Sequence, residues 1–237
     1  MRKMIKENAK SALRARYWPI VGLELVAGVL VGGFSGFSTS ISKSDVSDLQ
    51  EFFGGNSAVN QKMLGIVAAI AALAAVVGIL YVILFGNVIR VGISGVRLKA
   101  YRREAFGFND LFSGLKQYGH CVGAMALQTL FIVLGFCCFF VPGIIVALGL
   151  FEVPYLLADD PSVSGMTAIR RSWENMKGYK GKLFVLRLSF IGWLILTGLT
   201  FGILGIFYTG PYIALAEAGF YHEKHTEPAA EAPVAEA

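Results

Sequence analysis

The sequence predicts an all-α fold: a polytopic transmembrane helical bundle of six spans, built as three repeats of an amphipathic helix followed by a helical hairpin. Three observations carry this. Apolar residues make up 55% of the 237-residue chain and charged residues only 16%, whereas a soluble domain carries about 25% charge. The charges are segregated: residues 25–42, 63–89, 117–151 and 188–216 hold no Asp, Glu, Lys or Arg, and a bilayer span needs about 20 mostly apolar residues. Finally, of the 21 Lys and Arg, only Lys43 and Lys62 fall outside segments that the hairpins place on one side. Positive charge concentrates on the cytoplasmic side of membrane proteins, so a multi-pass protein of the cell membrane is expected, with both termini cytoplasmic.

Residues 2–16 set six basic side chains against Glu7, with Met4, Ile5, Ala9, Ala12 and Leu13 at helical spacing. That is a basic amphipathic helix on the cytoplasmic surface. Tyr17 and Trp18 mark the interface, and Pro19 suits a first helical turn. The first span is expected from Trp18 to Phe37, as a retained span rather than a cleaved signal. Its Gly28-x-x-x-Gly32 and Gly32-x-x-x-Gly36 spacings allow close helix contact. Residues 38–62 form an outer polar loop. The second span covers Met63–Asn87, and its Ala-rich stretch Ala68–Ala75 is expected to pack tightly against a neighbour.

A basic cytoplasmic segment follows, with Arg90, Arg97, Lys99, Arg102 and Arg103. Phe108, Leu111, Phe112, Leu115 and Tyr118 then make a second interfacial stripe. One helix over 117–158 would be about 60 Å long, twice the hydrocarbon thickness. Pro142-Gly143 is therefore read as the break, either a tight turn between two full spans or a re-entrant tip. Asp159, Asp160 and Pro161 end the returning segment. Met166, Ile169, Trp173 and Met176 form a third stripe, capped by Ser162 or Ser164. The fifth span is expected over 183–203, with Gly202 and Gly205 flanking the turn, and a sixth ends near Phe220.

The repeat units are about 1–100, 101–160 and 161–221, one transmembrane domain, followed by a disordered cytoplasmic tail over 222–237. Val153-Pro154-Tyr155-Leu156-Leu157-Ala158 is similar to Gly210-Pro211-Tyr212-Ile213-Ala214-Leu215-Ala216. Pro142, Pro154 and Pro211 are candidate kink or cavity residues, because proline removes a backbone donor and bends a helix.

Glu24, Glu152, Arg187 and Glu217 interrupt apolar sequence near one expected depth in the inner leaflet. An isolated charge at mid-membrane costs at least about 2.5–3.5 kcal/mol, so these four are the candidate intramembrane polar cluster, with Arg187 paired to Glu152 or Glu24. No catalytic, cofactor or metal site is expected: the three cysteines lie in apolar sequence and read as small buried hydrophobes. His222 and His225 beside Glu223 read as a solvated tail. Asp159-Asp160 reads as a helix cap. The net charge of +5 reflects topology, and no nucleic-acid partner is expected.

Several strings are more specific than this patterning. They are Ile5-Lys6 with Ala9-Lys10 and Trp18; Asp110-Leu111-Phe112-Ser113-Gly114; Val141-Pro142-Gly143-Ile144-Ile145; and Pro154-Tyr155-Leu156-Leu157-Ala158-Asp159-Asp160-Pro161. Ala168-Ile169-Arg170-Arg171-Ser172, Met176-Lys177-Gly178, Leu188-Ser189-Phe190-Ile191-Gly192-Trp193 and Pro211-Tyr212 complete the set. Through them the chain resembles the DUF975 family of uncharacterised bacterial integral membrane proteins over most of residues 1–221. The resemblance implies the fold and no activity, cofactor or substrate. The leading expectation is a non-enzymatic membrane protein that binds a partner protein or lipid, with anionic headgroups as partners at the cytoplasmic face. The alternative is a small transporter or export accessory subunit with an inner-leaflet polar cavity.

Overall fold

The computed structural model describes residues 2–39, 65–66, 69–70, 72–73, 76–78, 80–160 and 162–226. Helices α1 (Arg2–Ala15) and α2 (Tyr17–Thr39) come first. A π-helical turn at Val82–Gly86 leads into α3 (Asn87–Tyr101), then α4 (Phe108–Leu111) and a 3-10 turn at Ser113–Gln117. The first hairpin is α5 (Tyr118–Cys138) against α6 (Phe140–Gly149) and its continuation α7 (Val153–Asp159). Helices α8 (Gly165–Asn175), α9 (Lys180–Leu188), α10 (Ile191–Leu199) and α11 (Gly210–Thr226) complete the order. The fold is all-α, with no strand among the described residues.

Among the described residues, three helical segments are long and apolar enough to cross a membrane: Tyr118–Cys138, Phe140–Asp159 and Lys180–Leu199. Their outward faces carry large exposed apolar groups such as Phe131, Phe140 and Ile195. Water would penalise such a surface and lipid does not, so this is the build of a membrane protein. The loop over 40–62 and the tail from 227 lie outside the described residues. Ala69, Ile70, Ala72 and Leu73, the described part of Ala68–Ala75, are exposed, so tight packing is not found there.

Helix α1 is amphipathic as its spacing predicts, but its apolar face is spent on protein. Ile5, Ala9, Ala12 and Leu13 are buried, and α1 packs on α11 and α3. Lys6 is held there too: Nζ donates to the Ser189 carbonyl at 3.2 Å and stands 4.3 Å above the Phe190 ring. The second stripe is shorter than expected. Leu111 is fully buried, yet the helix stops there and a 3-10 turn follows. In the third stripe Ser164 is the N-cap, its Oγ accepting from Thr167 N–H, while Asp160 folds back on Ser162.

The α5–α6 hairpin turns one step earlier than expected. The break is at Phe139, a single extended residue, and Pro142-Gly143 lies inside the first turn of α6. Proline is tolerated there because first-turn N–H groups have no intrahelical partner anyway. Gly143 lies directly on the Phe136 ring, and a Cβ on Gly135 would meet the Gly143 backbone at 3.1 Å, so both glycines permit the close approach of the two helices. Residues 118–159 therefore make two helices of full spanning length. The described glycines of α2 behave differently, Gly32 and Gly36 lying outside the residues whose surroundings are described. A Cβ at Gly22 or Gly28 would meet nothing within 4 Å. The close approach is made by Gly92 on α3, where the Leu111 carbonyl occupies the space of a side chain.

Both returning arms are bent ahead of their Pro-Tyr. The helix is interrupted at Leu150–Glu152, and Pro154 sits in the first turn of α7. A π-helical turn at Gly205–Thr209 likewise precedes Pro211 in α11. In each arm the irregular turn absorbs the lost hydrogen bond. Helix α11 continues as helix through Thr226, so the disordered tail expected from residue 222 does not begin there. Cys137 and Cys138 are exposed and only Cys121 is buried, which corrects the reading of all three as core groups.

Candidate functional site

Helix α3 is the hub of the bundle, packed against α2, α5, α7 and α11. Arg90, Ser94 and Arg97 follow one another at i, i+4 and i+7 and so share a face. Glu24, Ala27, Gly28 and Val31 make the same stripe on α2, and Met125, Gln128, Thr129 and Ile132 make it on α5. These stripes, with Phe151, Pro154 and Tyr155 and with Arg187 and Glu217, enclose a cavity of about 500 Å³.

The charges in the wall are mostly answered. Arg97 grips Glu24 with two hydrogen bonds, Nε to Oε1 at 2.6 Å and Nη2 to Oε2 at 2.8 Å. Arg187 Nε donates to Glu217 Oε1 at 2.8 Å and its guanidinium stands 5.2 Å from the Phe151 ring. A paired fork is the strongest form of this contact. Arg90 is different. Its carbonyl accepts from Ser94 Oγ, but no carboxylate pairs with its side chain among the described residues. Three arginines thus face two carboxylates. Gln128 adds a second unmatched group: Nε2 donates to the Leu150 carbonyl at 2.8 Å, while its buried Oε1 has no donor among the described residues.

Of the four residues expected to cluster, Glu24, Arg187 and Glu217 line this cavity and Glu152 does not. Arg187 pairs with Glu217, not with Glu152 or Glu24. Pro154 lines the cavity, while Pro142 and Pro211 lie away from it. Sequence reasoning missed Arg90 and Arg97 because their charge reads as a topology signal. The i, i+4, i+7 spacing of Arg90, Ser94 and Arg97 was the available clue.

Glu152 belongs to a second cluster, at the break between α6 and α7. It is wholly buried. Its carboxylate takes hydrogen bonds from Lys224 and from Asn175, and His225 lies 3.8 Å away. Ser172 closes the network, its Oγ accepting from Glu152 N–H and donating to the Gly149 carbonyl. Burial pushes the Lys224 amine below the ordinary lysine range, against the pull of Glu152. The residues expected to be a solvated tail therefore complete an interior ion pair. Nearby, Arg102 forks onto Asp159 at 2.8 and 3.2 Å, with Tyr221 and His222 beside them. Asp159 is thus an ion-pair partner and not a cap. Among the described residues no group of three His, Cys, Asp or Glu stands close enough to hold a metal ion.

No curated protein matches the chain, and no solved structure does. A family model does match residues 124–226, described as Protein of unknown function (DUF975). The matched stretch holds the Val141–Ile145, Pro154–Pro161, Ala168–Ser172, Leu188–Trp193 and Pro211-Tyr212 strings; those at 5–18 and 110–114 lie before it. Through that segment, which runs from within α5 to the end of α11, the chain is similar to the DUF975 family.

Proposed function

We propose that this chain is a non-enzymatic, multi-pass protein of the cell membrane that binds a lipid or a partner protein at its charged cavity. In this reading it has six spans as three helix-plus-hairpin repeats, both termini are cytoplasmic, and the cavity opens within the inner leaflet. The supporting observation is the cavity of about 500 Å³ whose wall holds Arg90, Arg97, Arg187, Glu24 and Glu217. Ionisable groups inside a membrane bundle are costly and concentrate where ligands bind. Purification of the full chain from native membrane, with mass spectrometry of retained lipids and proteins, tests the reading. A specific lipid or protein held in fixed ratio is expected; a preparation that retains neither overturns it.

The second reading is a small transporter or export accessory subunit. It is favoured by the bent arms ahead of Pro154 and Pro211, one of which borders the cavity. Flux of a small anion through sealed vesicles that contain the purified chain tests it. Vesicles no leakier than empty ones exclude it.

A further inference from the structure

We infer that the cavity on α3 binds a phosphate ester, with Arg90 as the residue that holds the phosphate. This rests on the binding reading above and names its ligand class. The wall carries three guanidinium groups and two carboxylates. Glu24 is taken by Arg97 and Glu217 by Arg187, so both carboxylates are matched and one positive charge is left over. That charge belongs to Arg90, an exposed side chain on the cavity wall with no carboxylate partner among the described residues. A bound monoanion removes the imbalance.

Guanidinium presents a planar fork of donors, which suits phosphate oxygens. The second unmatched group refines the ligand. Gln128 Oε1 is a buried acceptor on the same wall, and buried acceptors require a donor. A phosphate that also bears a hydroxyl group supplies both. A phosphoglycerol headgroup and soluble glycerol phosphate share that chemistry. The volume suits it too: about 500 Å³ is ample for one headgroup and lies within the usual range of ligand pockets. Gly28 keeps the α2 side of this space open, since a Cβ there would meet nothing within 4 Å.

The test uses the full chain in phosphatidylcholine nanodiscs, with native mass spectrometry as the readout. Phosphatidylglycerol is added to one series and glycerol phosphate to the other. The parent is expected to retain one of these well above phosphatidylcholine. Arg90→Gln weakens that retention by about tenfold or more, as loss of charged hydrogen bonds does; Arg90→Lys keeps part of it. Gly28→Leu, which fills the space and leaves the cation, weakens it as well. Since the Arg90 side chain has no ion pair to lose among the described residues, the unliganded melting temperature of Arg90→Gln stays at the parent's value. Retention of the lipid alone assigns the headgroup as ligand; retention of glycerol phosphate with displacement of the lipid assigns the soluble ester. Equal retention by parent and Arg90→Gln overturns the phosphate inference. If the parent then still holds a neutral lipid or a protein, the binding reading survives; if it holds nothing, both fall.

Discussion

Arg97 on α3 and Glu24 on α2 meet as a two-pronged ion pair, at 2.6 and 2.8 Å, with side chains only 25% and 16% exposed. The pair ties α2 to the hub helix α3 and forms one wall of the cavity. Breaking such a pair strands a charge, whereas replacing both partners relieves it. Glu24→Gln and Arg97→Gln are each expected to cost about 2–3 kcal/mol, less than a fully buried pair because some water reaches this one. The double replacement recovers more than half of the summed loss. A double-mutant cycle on thermal unfolding in detergent checks this; strictly additive losses refute a coupled pair.

Lys224 and Glu152 form the deepest ion pair among the described residues, with side chains 7% and 0% exposed. Lys224→Ala leaves the Glu152 carboxylate buried and is expected to cost about 3–5 kcal/mol. Ending the chain after Tyr221 removes the same partner and is expected to destabilise at least as much. Limited proteolysis and melting temperature read both variants. A truncated chain as stable as the parent shows that the last turns of α11 hold nothing.

Gly92 and Gly28 both lie in helices, yet they should respond oppositely to a methyl group. At Gly92 the Leu111 carbonyl fills the space, so Gly92→Ala displaces backbone and is expected to cost about 1–3 kcal/mol. Gly28 faces open space, and alanine there gains up to about 1 kcal/mol of helix propensity. Parallel melting curves of the two variants decide the point.

Tyr101 is buried and its hydroxyl donates to Glu223 at 2.8 Å. Burial pushes its phenol above the ordinary range. The folded chain therefore holds this proton more tightly than the unfolded chain. The stability it contributes is complete below about pH 10 and is lost as the pH rises beyond that. Tyr101→Phe is expected to cost about 1 kcal/mol at neutral pH. The gap between the two proteins should close or reverse in alkaline buffer. A gap that does not change with pH rejects the linkage.

How much of this was legible depended on the kind of information each feature needs. The uncharged run over 117–151 was enough for two helices, because segment length against bilayer thickness is a local property. The position of their turn was not, since Pro142 is tolerated inside a first helical turn and the break moved to Phe139. Ile5, Ala9, Ala12 and Leu13 were read as one apolar face, yet only the docking of α11 shows that protein covers it. The ionisable residues followed the same rule. Glu24, Arg187 and Glu217 announced themselves by interrupting apolar sequence. Arg90 and Arg97 were hidden because a basic cluster beside a span has a sufficient explanation in topology.

By itself, the sequence determined an all-α membrane protein and picked out the charges that apolar surroundings make costly, since hydropathy and periodicity are carried by neighbours along the chain. Only the tertiary structure decided who answers whom. It paired Glu24 with Arg97, Arg187 with Glu217 and Glu152 with Lys224, and left Arg90 without a carboxylate partner among the described residues, on the same cavity wall as Gln128. Pairing across helices depends on their rotation and adjacency, so partners 73 and 72 positions apart, as in Glu24–Arg97 and Glu152–Lys224, leave no local trace in the sequence.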